Sequence, residues 1–579
     1  MSDIYYGGDI VTMASDSHGA TNPEAVLVAD GRVQALGALE QLRALDSGAA
    51  LHDLGGDALL PGFIDGHSHI VQYASTFGCV DMTGSRSLDE VARRLRNALR
   101  ERGREALRTG DYGMLDEWLA CFGYDDNVLA ERRHPDRYML DRVCAEVADE
   151  LSELPEQARR ALAHTPVLVT HASGHVGAMD SEALRRAGIT ADTEIPGGHI
   201  ARDAQGEPTG YAEEAAFMRA AAQVGAPSQT QRLARLDAAQ CEYLRHGITT
   251  AQEGLARRAD VALLDAAARA GRLKLDVVAY QDVREVVPPD GIVDYVRSGR
   301  DDARDLMREQ PELDMRYRGR LKLGGFKLLL DGSPQGRTAF LSQPYLPAQD
   351  QGEDYRGYPA MDDAQVEAYM LYAARRERQI LVHCNGDAAI DQLLHAQRIA
   401  CAQAGAARNR NVAIHAQLMR PDQLKQLPEV GLMPSYFVAH VKYWGDAHLR
   451  NLGPERAAAI SPLGLTERLG IPFTLHQDTP VLPPDMLETL SIAQQRISRE
   501  GVHLARAGIT DASRDALVRA ITAWGAYQYF EEAQKGTLEP GKRADMVRLS
   551  ANPLSVDAQA LDSIEVRETY VAGELAFQA

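Results

Sequence analysis

The stretch that decides the fold is PGFIDGHSH, residues 61–69. A short apolar run, Phe63 and Ile64, passes into Asp65, Gly66, His67, Ser68 and His69. Side chains alternate along a strand, so His67 and His69 point to one side, where a single metal can take both. Alone, such a pair equally suits surface or hydrogen-bonded histidines. Its weight comes from recurrence. Seven more apolar runs end in polar residues: GITTAQEG (247–254), KLDVVAYQD (274–282), GGFKLLLDGS (324–333), QILVHCNGD (379–387), NVAIHAQ (411–417), GLMPSYF (431–437) and IPFTLHQD (471–478). Amphipathic segments such as 362–378 and 389–405 separate several of them. Eight strands alternating with helices predict an α/β chain closed as a (β/α)8 TIM barrel.

In such a barrel the chemistry sits where the strands end. Strand five ends at His383, strand six at His415 and strand eight at Asp478. A lone histidine there is more often a core residue held by hydrogen bonds, but five N or O donors at the same end of successive strands point to a shared metal. Mixed imidazole and carboxylate sets suit zinc and its neighbours, iron and manganese included. Lys327 stands inside the apolar fourth strand. An unpaired buried ammonium is costly, so it must snorkel, pair with Asp331 or another acid, or change its chemistry; carboxylation by carbon dioxide would make it an anion able to bridge two metals.

Outside these runs the pattern changes. The first 60 residues and the last 45 read as short strands with turns at Asp30-Gly31 and Ala572-Gly573. They predict a composite β-sandwich domain from 1–61 and 535–579, flanking a barrel domain over 62–534. Far more chain separates strands one and two than a crossover helix needs, so an inserted subdomain at about 72–243 is expected over the barrel mouth. The 579 residues carry 62 Lys+Arg against 82 Asp+Glu, a net charge of −20, which disfavours nucleic acid or an anionic membrane as partner. Six scattered cysteines without a CxxC pair, together with a start lacking an export pattern, fit a cytoplasmic protein. A homodimer is the architectural prior.

The ordered set His67, His69, Lys327, His383, His415 and Asp478 resembles the binuclear site of the metal-dependent amidohydrolase superfamily. PGFIDGHSH resembles its strand-one signature, and GTLEPGKRADMV (536–547) resembles the segment that re-enters its β-sandwich. GGHIARDAQGEPTG (197–210), HASGHVGAMDSEAL (171–184), KLLLDGSPQGRTA (327–339) and HCNGDAAID (383–391) resemble the branch containing N-substituted formamide deformylases (amidohydrolase family 3). The likeness implies two divalent metals, zinc first, bridged by carboxylated Lys327. It also implies a metal-bridged hydroxide as nucleophile, Asp478 as proton shuttle, and a small amide-like or N-substituted formamide substrate cleaved at its C–N bond. The branch commonly shows Gly-Ser-Asp-Trp-Pro at strand eight, where this chain has His476, Gln477, Asp478, Thr479 and Pro480: the ligand stays and the pocket differs.

Further candidates for substrate contact are His175 in the insertion, Asp331 and Ser333 after strand four, His440 and Trp444 after strand seven, and His476, on the same side of its strand as Asp478. Cys384 alternates away from His383, which disfavours a thiol nucleophile. Two rival readings remain. A cyclic amidine deaminase of the same superfamily would be expected to lack Lys327 and to carry a catalytic Glu near strand six. A metal-free regulator would be expected to have lost a ligand.

Overall fold

A computed structural model describes residues 2–14, 23–174, 176–225, 227–348 and 351–579. They form two compact units, one running to Val71 and resuming over Leu236–Ala579, the other Gln72–Arg235.

The first unit is built on eight parallel strands in chain order: Phe63–Ile64, Ile248–Ala256, Asp276–Asp282, Leu321–Leu329, Gln379–Cys384, Asn411–His415, Leu432–Tyr436 and Thr474–Leu475. Each of the eight quoted runs supplies one strand. Most strand positions are buried on both faces, which is why the runs read as continuous apolar segments and not as alternation. The sheet curls until its edges meet, with Gly66 N–H donating to the Leu475 carbonyl at 3.3 Å, the arrangement of a TIM barrel. Ile64, Val278, Tyr280, Leu381, Val412, Ile414 and Met433 fill the interior, together with Ala526 and Tyr529.

Local signals set the helices. Asp362 accepts from Gln365 N–H while the Gln365 side chain accepts from Asp362 N–H, a capping box that starts Asp363–Arg375. Gly405, at φ 67°, closes Asp387–Ala404. Where strands three and four begin, a buried ion network ties the sheet to the chain's last segment. Lys535 Nζ lies 2.8 Å from Asp276 and 2.6 Å from Glu531; Glu531 also pairs with Lys322, and Asp276 with Arg543.

The chain ends form two more sheets. One holds Ser2–Tyr6, Ala25–Ala29, Arg32–Gly37 and Ala50–Asp53; the other joins Asp9–Ile10 and Ala58–Pro61 to Met546–Leu549, Val566–Val571 and Glu574–Gln578. Tyr5, Val26, Val28 and Val33 from the first meet Ile10, Leu59, Met546 and Tyr570 from the second in one apolar cluster. Both hairpin turns have positive φ at their central residues (Asp30 53°, Gly31 73°; Ala572 52°, Gly573 75°), the twist that two-residue hairpins need. By contact these ends belong to the same compact unit as the barrel.

The second unit has a six-stranded sheet, ordered Gly198–Arg202, Pro208–Glu213, Val176–Met179, Val167–His171, Leu119–Tyr124 and Val80–Asp81, with the last three mutually parallel. Its core packs Leu95 and Leu99 of helix Leu88–Thr109 with Leu140, Val143 and Val147 of helix Arg137–Glu150. The unit ends at Arg235, inside helix Gln229–Arg245, because from Leu236 that helix belongs with the barrel. No helix among the described residues is long and apolar enough to cross a membrane.

Candidate metal centre

At the C-terminal ends of the parallel strands, His67 and His69 face Asp478. Asp478 Oδ1 lies 3.5 Å from His67 Nε2 and 3.4 Å from His69 Nε2. One ligand atom from each residue falls within 4.8 Å of the others. Metal–ligand bonds of about 2.0–2.1 Å put neighbouring donors in a tetrahedron about 3.3–3.4 Å apart, so these separations are those of a coordination edge. They exceed an ordinary short ion-pair contact.

One donor atom reinforces the fit. Asp478 Oδ1 is buried with no hydrogen-bond partner, a costly condition that a cation would relieve, whereas His383 Nδ1 faces Asp331 Oδ1 at 3.3 Å. Asp478 and His415 also hold left-handed backbone, at φ 54° and 69°, which non-glycine residues rarely adopt and which concentrates at functional sites. The donor set therefore fits a divalent metal.

Lys327 joins this group. Its Nζ lies 3.2 Å from His67 Nε2, and among the described residues no carboxylate is within ion-pair range of it. Asp331 is engaged elsewhere, accepting backbone N–H groups of Phe340, Asn385 and Gly386, so it braces the loops after strands four and five. Burial pushes the Lys327 amine down to about 7, with Asp478 partly offsetting. His415 and His383 stand with ring centroids 4.6 Å apart, and His415 is 5.7 Å from His67. Burial, aided by neighbouring positive charge, drives His67 and His415 well below the usual imidazole range, keeping them in the neutral form that ligates. Burial would lower His69 too, but Asp478 and Glu253 overcome it and raise it to about 9. Burial would raise Asp478; His69 outweighs it and holds the carboxylate below its usual range.

The remaining candidates separate. His476 Nε2 meets His415 Nδ1 at 3.1 Å, while its Nδ1 meets Ser435 Oγ at 2.8 Å. A His415→His476→Ser435 run of N–H donors leaves His415 Nε2 as a lone pair. His440 and Trp444 are buried in an aromatic stack with Phe437, and His440 Nδ1 is occupied by His448 Nε2 at 3.0 Å. Ser333 closes a turn with Thr338. His175 lies outside the described residues. The thiol of Cys384 is buried, and burial pushes it well above the usual thiol range, as inert cysteines are.

Sequence reasoning passed over Gln252 and Glu253 inside strand two. Gln252 Oε1 accepts from His67 Nδ1 at 2.5 Å, which fixes the tautomer that presents Nε2. Glu253 Oε2 accepts Val71 N–H at 2.8 Å, with Oε1 3.7 Å from His69 Nδ1. The signal was present: a Gln-Glu pair inside an otherwise uncharged, buried run is an anomaly of the kind that singled out Lys327.

A curled parallel barrel whose strand ends gather imidazoles, a lysine and a carboxylate with an unpartnered buried oxygen defines a metal-dependent hydrolase. The chain belongs to the amidohydrolase family, whose model matches residues 50–148 and 155–577, and so is an enzyme acting on carbon–nitrogen bonds other than peptide bonds. It is 25% identical to the YtcJ protein of Bacillus subtilis (strain 168) over 596 aligned residues, covering 100% of each. It is 24% identical to the N-substituted formamide deformylase of Arthrobacter pascens, covering 96% of this chain and 95% of that one. Among solved structures, a metal-dependent hydrolase from Pyrococcus furiosus superposes with a TM-score of 0.67 at 22% identity, over 96% of this chain and 100% of the other; it supports the fold.

Proposed function

We propose that the protein hydrolyses the C–N bond of a small amide or N-substituted formamide, releasing a carboxylate and an amine. The observation that carries this reading is the Asp478 carboxylate, half-buried, kept ionised by His69 and facing both strand-one imidazoles across coordination-edge distances. His67, His69 and Asp478 would hold one divalent ion, zinc by donor type, and His383 and His415 a second. Such ions supply Lewis acidity and lower the pKa of water.

The chain's own residues do the rest. Gln252 and the His476–Ser435 pair orient His67 and His415. Lys327, neutral in part near pH 7, could add its amine to carbon dioxide with loss of a proton, and the resulting carbamate would supply an anionic oxygen ligand to the metals. Asp478 takes the proton of the attacking water-derived nucleophile and hands it to the leaving nitrogen, as a general base and then acid. In this reading the chain-end sheets form a composite β-sandwich.

The family's deformylase relative supports an N-substituted formamide; an intact lysine and no catalytic glutamate beside His415 favour this over cyclic amidine deamination. The test is a hydrolysis screen of N-substituted formamides, acylated amines and amino acids, and cyclic amides, with Asp478→Asn as control. Turnover of one class by wild type and not by the variant is expected. Activity confined to cyclic amidines would replace the proposal with deamination.

A further inference from the structure

Two buried histidines beyond strand seven stand outside the metal-ligand set. His440 opens the helix His440–Leu452 that follows strand Leu432–Tyr436, and His448 lies further along the same helix. His440 Nδ1 and His448 Nε2 are 3.0 Å apart, with the rings stacked at a centroid distance of 5.2 Å and 13° between planes. His440 is 3% exposed and His448 fully buried. Burial, with His448, His476 and His383 adding to it, drives His440 well below the usual imidazole range, and burial alone lowers His448 to about 3. Both rings are neutral, so a single proton lies in the bond between them.

The far side of His448 sets the direction of that bond. His448 Nδ1 is sealed from solvent and has no hydrogen-bond partner. Were His440 the donor, His448 would carry its own proton on Nδ1 and bury an N–H with nothing to receive it, the rarer kind of orphan. With His448 Nε2 as donor, its Nδ1 is left only as a bare lone pair. His440 Nδ1 then accepts, and the His440 proton sits on Nε2. That nitrogen has no partner among the described residues and is not one of the sealed atoms, so it is the open edge of a ring otherwise buried. His440 is close enough to His383 and His476 for both to act on its charge. Phe437 packs against His440 at 5.0 Å between centroids and against His415 at 6.0 Å, so one aromatic ring separates His440 from a ligand.

We infer that His440 is a catalytic hydrogen-bond donor whose Nε2–H meets the carbonyl oxygen of the scissile group, and that His448 is the positioning residue that holds it in this tautomer. The inference rests on the proposed cleavage of a carbonyl–nitrogen bond. As the nucleophile adds, the carbonyl double bond becomes single and negative charge gathers on its oxygen. A fixed donor in a buried setting stabilises that charge, and the proton stays on His440 throughout. A neutral ring also sits beside cations without the repulsion that an imidazolium would feel. Phe437 and Trp444, the latter 4.8 Å from His440 between centroids, fix the plane of the ring. The alternative is a packing pair, in which the His–His bond only satisfies one nitrogen of each ring.

Three measurements on the zinc-loaded full chain decide between them. Nitrogen-15 NMR of the histidine-labelled wild type, with His440 assigned through the N–H···N coupling it shares with His448, should place its proton on Nε2; a proton on Nδ1 overturns the proposal. Formate, the carboxylate that a formamide would release, should move the His440 Nε2–H resonance downfield, and no movement as formate is titrated overturns it too. With N-butylformamide as substrate, His440→Phe keeps the aromatic stack and should lower kcat by about 10²–10³-fold, with KM and metal content little changed. His440→Gln places an amide N–H near the position of Nε2 and should recover part of the loss. An unchanged kcat in His440→Phe, or an equal fall in both variants, contradicts the donor role. If the wild type leaves N-butylformamide intact, the proposed function fails on its own, and the two NMR results still decide for His440. They decide as well if a variant does not fold.

Discussion

Replacing Gln252 with leucine isolates the tautomer-setting role of a residue that touches no substrate. The side chain is fully buried and makes three bonds: Oε1 accepts from His67 Nδ1, and Nε2 donates to Tyr529 Oη at 2.9 Å and to the Gly66 carbonyl at 3.2 Å. Two of the three partners keep another bond. Tyr529 Oη still donates to the Asp65 carbonyl at 2.6 Å, and the Gly66 carbonyl still accepts from Gln528 Nε2 at 2.7 Å. Only His67 Nδ1 is orphaned, a cost of about 1–3 kcal/mol in stability. Losing the group that orients a ligating histidine weakens metal affinity by about 10–100-fold, which is about 1.4–2.7 kcal/mol. Gln252→Glu retains an acceptor for His67 and should recover most of the affinity, although it loses both donors. Zinc affinity is read by competition with a chromophoric chelator, and stability by urea unfolding. If Gln252→Leu is destabilised as expected but binds zinc as tightly as wild type, Gln252 is a packing residue and the tautomer argument fails.

Asp478→Asn keeps an oxygen donor but loses the proton acceptor, so the metal count should hold while turnover falls by about 10²–10⁴-fold; ordinary hydrolytic rates in the variant would remove the proton-shuttle role. Lys327→Ala should lower the number of ions bound per chain, as measured by elemental analysis, and an undiminished count would remove the bridge. At the other end of the barrel, burial would raise Asp276, but Lys535 and Arg543 outweigh it and hold it below the usual carboxylate range. Because its folded pKa is depressed, its stabilisation is complete above the reference value of about 4 and is lost as pH falls below it. Asp276→Asn should therefore cost about 3–5 kcal/mol at pH 7 by urea unfolding, with the gap to wild type narrowing in acid.

The barrel strands were legible because each is buried on both faces and ends abruptly in polar residues. The first and last strands contribute only two hydrogen-bonded residues each, Phe63–Ile64 and Thr474–Leu475, and were found through the histidines and aspartate that follow them. Lys327 stood out as a charge in an apolar run, and the structure sharpened this by showing Asp331 committed to three backbone N–H groups and so no partner for it. Gln252 stayed hidden because an amide inside a strand carries no charge to betray it, and its role needs a contact across 185 residues of sequence. The six-stranded sheet of 72–235 was not legible: its strands are short, and antiparallel and parallel pairings are mixed, so no single period marks them.

The most direct test of the account is the metal content of the barrel ligands. Wild-type chain purified without chelators and His67→Ala/His383→Ala, handled identically and shown to be folded, are compared by elemental analysis. The account predicts that the variant holds about two fewer divalent ions per chain. Equal counts in the two, or no metal in the wild type, would contradict it.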